Sequence, residues 1–286
     1  MARAIGVVPA AGAGSRLWPF RATKELIQVG YHTVPDGGPG RLVPRTAIDH
    51  VLAALRRGGV DDVLVVLSPA KWEVFRYLGT GREIGLNLAY LCQEQPRGMP
   101  GAIDLAHPFL RDRTVCMGMA DTIVGPTDCF ARLRAFHDEH RADLSLGVFP
   151  TDQPHMLAPV VLATRGGRVR QIVDKPEDPP AANTWGIAVW SARFTELLHD
   201  MVAAAEPASD AELLLSDAFS RAVRSGLRVF GLPFDEGSYH DIGTSAGLIR
   251  ARALLEPRPS AEQDPRSSQS GAADRGAADH LSALSL

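Results

Sequence analysis

Lysine is the scarcest charged residue in this chain. Of its 30 basic residues only Lys24, Lys71 and Lys175 are lysines, and the others are arginines. A general preference for arginine explains such a composition, because most exposed cations are chemically equivalent. A lysine that persists against this preference indicates a position where a compact ammonium group is needed.

Long apolar runs and clusters of basic residues are also missing. None of the 286 residues lies in an apolar run that approaches the about 18 residues of a membrane helix, and the run before Pro9 is too short for a signal peptide. The net charge is −3 and the arginines are dispersed. We therefore expect neither a membrane partner nor a nucleic-acid partner.

Cysteine is rare as well, with three residues that lack the spacing of a metal site. They are expected to be reduced thiols, which is typical of a cytoplasmic protein. Cys92 and Cys116 lie in apolar runs, so two of the thiols are predicted to pack in the core.

Short β-rich runs alternate with helical stretches along most of the chain. This alternation is typical of an α/β fold, with a mostly parallel sheet covered by helices. Strands are predicted over residues 4–8, 62–67, 86–92, 114–117, 143–149, 160–163, 169–173, 184–190 and 228–232. Helices are predicted over residues 45–57, 70–78, 101–107, 127–140, 192–205 and 212–225.

Two segments lack either periodicity. Residues 31–42 are rich in glycine, proline and aspartate, and predict a loop. From residue 256 onward the composition shifts to proline, serine, alanine, glycine, aspartate and arginine. We predict a single domain over residues 1–255 and a disordered tail over residues 256–286.

A glycine-rich segment follows the first predicted strand and runs from Pro9 to Pro19. Small residues allow backbone N–H groups to approach phosphate oxygens, and nearby cations neutralise their charge. A tight strand-to-helix turn is the alternative interpretation. The segment is not a dinucleotide fingerprint, because Leu17 stands where the third glycine belongs, and this argues against an NAD-dependent oxidoreductase. It is not a Walker A loop either, since no Gly-Lys-Ser/Thr occurs.

Two further segments carry residue types that suit a ligand site. In the segment from Gln93 to Ala102, the Gln93 carboxamide can both donate and accept hydrogen bonds. The alternative is a polar turn that caps the following helix. Asp121 ends an apolar strand, and ligands of open α/β sheets bind at the carboxyl ends of strands. The alternative is an aspartate that caps the next turn.

Two later segments complete the series. Asp174-Lys175-Pro176 is followed by Asn183-Thr184-Trp185-Gly186-Ile187, and an exposed turn ending in proline is the plain interpretation of the first part. Gly237-Ser238-Tyr239-His240-Asp241-Ile242-Gly243-Thr244 comes last, and Asp241 could be an ordinary turn residue there.

In this order the five segments resemble the motifs of the sugar-1-phosphate nucleotidyltransferases, a family that includes glucose-1-phosphate thymidylyltransferases and uridylyltransferases. The first segment is similar to Gly-x-Gly-[Ser/Thr]-Arg-[Leu/Met]-x-Pro followed by Lys. The resemblance implies a Rossmann-like mixed sheet of the nucleotide-diphospho-sugar transferase type. It also implies a sugar-binding part inserted near residues 150–240, and the possibility of a homo-oligomer.

The resemblance also assigns roles to individual residues. It implies catalytic roles for Arg16, Lys24, Asp121 and Asp241. It implies nucleotide contacts from Ala11, Gly12, Gly14, Ser15, Gln93 and Gly98, and sugar-phosphate contacts from Asp174, Lys175, Trp185 and Gly186. Asp121 and Asp241 would be the ligands of Mg²⁺, a cation that prefers oxygen. Lys71 receives no role.

Three positions depart from the family pattern. Thr23 precedes Lys24 where proline is usual, Ala158 stands where many thymidylyl members have glycine, and Asp210 aligns approximately with an arginine that contacts the sugar phosphate in some members. These departures bear on the substrate more than on the reaction. The expected reaction transfers a nucleotidyl group from dTTP or UTP to a sugar-1-phosphate and releases pyrophosphate. Purine nucleotides, a cyclitol phosphate, or a silent regulatory paralog that only binds nucleotide sugars remain alternatives.

Overall fold

The computed structural model of the protein describes residues 3–12, 14, 17, 23–34, 40–163, 166–205 and 212–255. Ser15, Arg16 and Asp210 lie outside these residues, as do the middle of the predicted 31–42 loop and the predicted tail. The predictions made for them remain predictions. All described residues belong to one compact unit, Met1–Glu256.

The strands and helices alternate over most of the described residues. The strands are β1 (Ile5–Pro9), β2 (Gln28–Val34), β3 (Arg41–Thr46), β4 (Asp62–Leu67), β5 (Asn87–Cys92), β6 (Val115–Gly118), β7 (Thr122–Gly125), β8 (Leu144–Pro150), β9 (Val160–Leu162), β10 (Val169–Ile172), β11 (Asn183–Trp190), β12 (Val229–Pro233) and β13 (Ser238–Asp241). The α-helices are α1 (Ala47–Arg57), α2 (Trp72–Leu78), α3 (Gly98–Asp104), α4 (His107–Leu110), α5 (Cys129–Glu139), α6 (Ala192–Ala204), α7 (Leu215–Arg224) and α8 (Ser245–Leu255).

Seven strands form the main sheet in the order β12-β8-β11-β6-β1-β4-β5. In this sheet β11 runs antiparallel to both of its neighbours, β6 and β8. The other adjacent strands of the sheet are parallel to each other. The predicted mixed, mostly parallel sheet is therefore confirmed. The order reverses at β1, which lies between β4 on one side and β6 on the other. In open α/β sheets the ligand crevice lies at such a switch point, outside the carboxyl ends of the strands.

Both faces of this sheet are buried, as a parallel sheet requires. Successive residues of a strand point to opposite faces, so Val7 packs in one core cluster with Trp190 and Phe219, while Val8 packs in the other with Leu55. Helices cover each face.

The loop predicted over residues 31–42 is wrong for the residues that the structure describes there. These residues belong to β2 and β3, which pair as an antiparallel hairpin. The Gly/Pro-rich composition hid two strands whose order depends on pairing with each other. Val29 of this hairpin packs with Ile123, Ile242 and Ala251 in a third apolar cluster.

Two short strands were also missed, and the predicted 101–107 helix is in fact α3 from Gly98 with a separate α4. β7 and β13 have four residues each and pair antiparallel.

The prediction that Cys92 packs in the core is wrong. Cys92 is exposed, whereas Cys116 and Cys129 are buried, and all three are free thiols. Cys92 is the last residue of β5, where the strand emerges at the edge of the sheet. None of the described helices combines the length and the apolar character needed to cross a membrane.

Candidate active site

The predicted site residues gather at the carboxyl edge of the parallel strands. Gly12 follows β1, Gln93 follows β5 and Asp121 follows β6, and Lys71, to which no role was assigned, follows β4. These four strands are neighbours in the sheet. Residues that are distant in sequence are therefore brought to one edge, at the point where the strand order reverses.

Lys24 contacts Asp121 across this edge. The Lys24 Nζ donates to the Asp121 Oδ2 at 2.5 Å, and the two side chains are only 13% and 16% exposed. Lys24 lies in a 3₁₀ turn, Lys24–Leu26, that precedes β2. Its methylene chain passes beside Gly14, where a Cβ would lie 3.6 Å from the Lys24 Cδ. Lys24 thus connects Gly14 with Asp121.

Asp241 is brought beside Asp121 by the pairing of β7 with β13. In this pairing Asp241 lies opposite Thr122, and the Ile242 N–H donates to the Asp121 carbonyl oxygen at 3.0 Å. The Gly243 N–H donates to the Asp241 Oδ1 at 2.7 Å. The fully buried Ile242 side chain anchors this segment in the third apolar cluster. The backbone therefore places the two aspartates at adjoining positions.

Gly12 and Gly14 differ in whether the backbone conformation requires a glycine. Gly14 has a φ of +69°, a conformation that side chains disfavour. Gly12 has no such φ, and a Cβ at this position would have no described atom within 4 Å. No contact with a described residue therefore requires a glycine at position 12, which follows Ala11.

Gln93 and Gly98 lie where β5 meets α3. Gln93 is 8% exposed, and its Nε2 is a buried donor without a partner among the described residues. Gly98 has a φ of +66°, and a Cβ there would overlap the Leu213 carbonyl oxygen. A buried carboxamide without a partner is costly to a protein unless a ligand supplies the missing group.

Asp174 and Lys175 lie between β10 and β11. The Lys175 side chain is 61% exposed, its Nζ lies 3.7 Å from the Asp174 Oδ2, and its φ is +45°. The Ser216 Oγ donates to the Asp174 Oδ1 at 3.4 Å, which links this turn to α7. A non-glycine residue with a positive φ is held by its surroundings, and such strain occurs often at ligand sites.

Trp185 and Gly186 occupy a different environment from Lys175. Trp185 is 7% exposed and packs edge-on against Phe219 at 5.1 Å between ring centroids. A Cβ on Gly186 would lie 2.9 Å from Phe149 and 3.0 Å from Val124, so packing alone requires this glycine. The ligand roles of both residues stay predictions.

Ala158 is also buried in the core, at 7% exposure. Its carbonyl oxygen accepts a hydrogen bond from the Thr184 hydroxyl at 3.5 Å. The residue precedes β9, and the effect of its methyl group on substrate choice stays a prediction.

Comparison with known proteins identifies the family. Residues 5–257 match the sequence profile of the family described as Nucleotidyl transferase. The chain belongs to this family. The resemblance predicted from the five motifs is therefore confirmed, and so is the prediction that the chain is an enzyme of the nucleotidyl-transferring class.

Individual members of the family are distant in sequence. The chain is 28% identical to the glucose-1-phosphate thymidylyltransferase of Streptomyces antibioticus, over 88% of this chain and 67% of the relative. It is 22% identical to the UTP–glucose-1-phosphate uridylyltransferase of Staphylococcus haemolyticus, over 88% of this chain and 93% of the relative. A solved UDP-glucose pyrophosphorylase in complex with UDP-glucose shares the fold with a TM-score of 0.71, at 17% identity, over 89% of this chain and 98% of that chain.

Sequence reasoning missed one ion pair beside the site of this family member. The Lys71 Nζ donates to the Glu25 Oε1 at 2.6 Å, and the side chains are 9% and 1% exposed. Burial lowers the pKa of Lys71, and the Glu25 carboxylate opposes this change. The rarity of lysine was the available signal, because Lys71 was the one lysine that the motifs left without a role.

Proposed function

We propose that this chain transfers the nucleotidyl group of a nucleoside triphosphate to a sugar-1-phosphate and releases pyrophosphate. The contact between Lys24 and Asp121 supports this most directly, because it joins a cation and a carboxylate from two motifs that are 97 residues apart. After β1, a Cβ on Gly12 would have no described atom within 4 Å. A polyphosphate and its metal ion need such opposite charges in one place.

Asp121 and Asp241 are the residues that would hold a Mg²⁺ ion. Their carboxylates fit this cation, which takes few protein ligands and completes its shell with water and phosphate oxygens. Among the described residues no group of three or more acidic, histidine or cysteine side chains forms a denser metal site. A bound Mg²⁺ would neutralise phosphate charge and orient the substrate.

The reaction would be an in-line displacement. An oxygen of the sugar phosphate attacks the α-phosphorus, the bond from this phosphorus to the bridging oxygen breaks, and pyrophosphate leaves. The attacking phosphate is already anionic near neutral pH, since its second pKa is about 6. Catalysis then consists of positioning and charge neutralisation, with Lys24 and Arg16 on the triphosphate and Lys175 on the attacking phosphate.

A pyrimidine nucleotide is favoured because of Gln93. Its buried carboxamide nitrogen has no partner among the described residues, and the edge of a pyrimidine base offers an acceptor for this donor. We therefore favour dTTP or UTP. For the sugar, glucose-1-phosphate is the first choice, with Asp174 accepting from its hydroxyl groups.

A matrix of nucleoside triphosphates and sugar-1-phosphates, read by pyrophosphate release in the presence of Mg²⁺, tests this function. The wild-type chain is expected to turn over best with dTTP or UTP and glucose-1-phosphate. Nucleotide binding without any turnover would instead favour the silent regulatory paralog. Turnover only with a purine nucleotide or a cyclitol phosphate would overturn the substrate proposal and keep the reaction.

Asp121→Asn is the matched variant for the same assay. The amide keeps the shape of the side chain but removes the charge that pairs with Lys24, so turnover is expected to fall roughly 100-fold or more. Asp112→Asn, at a carboxylate that is 88% exposed and precedes β6, is expected to leave turnover unchanged. An Asp121→Asn variant with normal turnover and a normal thermal midpoint would contradict the assigned role.

A further inference from the structure

The turn that carries Lys24 is attached to the protein on both sides of this lysine. The Thr23 hydroxyl donates to the Glu73 Oε2 at 2.8 Å, and Glu25 pairs with Lys71 at 2.6 Å. Lys71 and Glu73 come from the same segment after β4, at the start of α2. Lys24 itself, between the two attached residues, contacts Asp121.

The two attachments differ in strength. The Thr23–Glu73 hydrogen bond is exposed and can be replaced by bonds to water. The Glu25–Lys71 pair is buried, and the Glu25 Oε2 has no partner among the described residues. Glu25 therefore depends on Lys71 for compensation of its charge. The buried pair is the attachment that fixes the turn.

A buried ion pair is an expensive way to fill this space. Two apolar side chains of similar volume usually serve stability as well or better, because neither has to be dehydrated. Since stability does not account for the buried ion pair, its use here is explained if it fixes the orientation of the turn. The ion pair lies close to the site, since Glu25 adjoins Lys24 in the 3₁₀ turn. In keeping with this position, the Lys24 charge lowers the pKa of Lys71 and the Asp121 charge raises it.

We propose that Glu25 and Lys71 are positioning residues, which hold the Lys24 ammonium where it meets the triphosphate. This inference rests on the proposed function, in which Lys24 neutralises phosphate charge. The buried pair orients the turn, and the turn orients Lys24. Neither Glu25 nor Lys71 touches substrate in this account.

Variants of the pair separate positioning from stability. Lys71→Met leaves a buried carboxylate without compensation, so both the thermal midpoint and kcat are expected to fall, kcat by about 100-fold if Lys24 is misplaced by about an ångström. The double variant Glu25→Leu with Lys71→Met contains no buried charge. Its thermal midpoint is expected to recover, whereas its kcat stays low because the turn is no longer oriented. A double variant with wild-type kcat would show that the pair is only structural.

A mutant cycle with Lys24→Ala tests the route of the effect. If Lys71 acts through Lys24, then adding Lys71→Met to Lys24→Ala should lower kcat no further. An equal additional loss of kcat in the Lys24→Ala background would overturn the proposal.

Arg193→Met is the matched control away from the site. Arg193 lies 3.2 Å from the buried Asp143, which precedes β8 and also has Arg228 at 3.6 Å, so this variant removes one of two cations from a buried carboxylate. The thermal midpoint is expected to fall while kcat stays unchanged. A loss of kcat as large as that of Lys71→Met would contradict a specific role for Lys71.

Binding of dTTP and UTP without metal, measured by titration calorimetry in EDTA, gives a readout that does not depend on turnover. The double variant is expected to bind the wild type's preferred nucleotide more weakly, and the Arg193→Met variant to bind it normally. A double variant with normal affinity would overturn the positioning role alone. Normal affinity and normal kcat in Lys24→Ala would overturn the role of Lys24, and this inference with it, whereas a wild-type chain without turnover would overturn the proposed function itself.

Discussion

Glycines at this site differ in whether the fold requires them, and a motif cannot show this difference. Gly98 is required by the fold, because of its positive φ and the nearby Leu213 carbonyl oxygen. Gly12 is not required by any described contact or by its own φ. At position 12 the glycine is instead predicted to let a ligand approach the backbone.

This difference predicts opposite results for two alanine substitutions. Gly12→Ala should leave the free energy of unfolding unchanged or slightly higher, and should raise the KM for the nucleotide about tenfold, which is about 1.4 kcal/mol of binding. Gly98→Ala should lower the free energy of unfolding by more than about 1 kcal/mol. Urea titrations and nucleotide saturation curves measure the two effects. A Gly12→Ala variant with a normal KM would remove Gly12 from the nucleotide site.

At the same scale, the three lysines show how far a composition argument extends. The motifs assigned Lys24 and Lys175, and the structure places Lys24 against Asp121. Lys71 had no motif, and its partner Glu25 is 46 residues away. Only the fold shows that these two side chains meet, because a buried contact between distant residues has no local pattern.

At the scale of elements, the position of Asp241 depends on three pieces that pack together. β13 pairs with β7, and α8 begins four residues after Asp241. Gly247 in the first turn of α8 lies so close that a Cβ would overlap the Asp241 carbonyl oxygen. The first turn of α8 therefore packs directly against the backbone of Asp241.

Gly247→Ala should consequently displace Asp241 and lower kcat, by about 10-fold or more if the shift approaches an ångström. The exposed neighbour Ala246 provides a control, and Ala246→Ser should leave kcat unchanged. Pyrophosphate release at saturating substrates measures both variants. If Gly247→Ala keeps a wild-type kcat, then α8 does not set the position of Asp241.

The same elements explain what the sequence could not predict. β7 and β13 have four residues each, and such short strands are stable only when paired and covered. The β2–β3 hairpin was hidden for a related reason, since glycine and proline dominate its connection. By contrast, the longer buried strands β4 and β8 were found, because their apolar runs are continuous.

At the scale of the whole molecule, buried histidines predict a loss of stability in acid. Burial lowers the pKa of His137 from 6.5 to about 4, and the His137 ring bonds to the Ser145 hydroxyl at 3.0 Å. Between these two pH values the unfolded chain binds a proton at this residue and the folded chain does not. The free energy of unfolding should therefore fall as the pH drops from 6.5 to 4, by up to about 3 kcal/mol for this residue.

Urea unfolding at pH 7, 5.5 and 4.5 measures this dependence. His137→Asn cannot take up the proton, so its stability should vary less with pH than that of the wild type, whatever its absolute value. His32→Asn, on the exposed part of the β2–β3 hairpin, should keep the wild-type dependence. Equal pH dependence in His137→Asn and wild type would show that His137 does not cause the acid loss.

The sequence by itself determined the fold class and the family, because these depend on local runs and on ordered motifs, and it predicted the residues of the candidate site. The tertiary structure alone decided that Asp241 adjoins Asp121, that Cys92 is exposed and that Glu25 pairs with Lys71. Each of these facts depends on which distant segments pack together. Periodicity describes a residue's own neighbours along the chain, whereas burial and ion pairing depend on neighbours that only the folded sheet supplies.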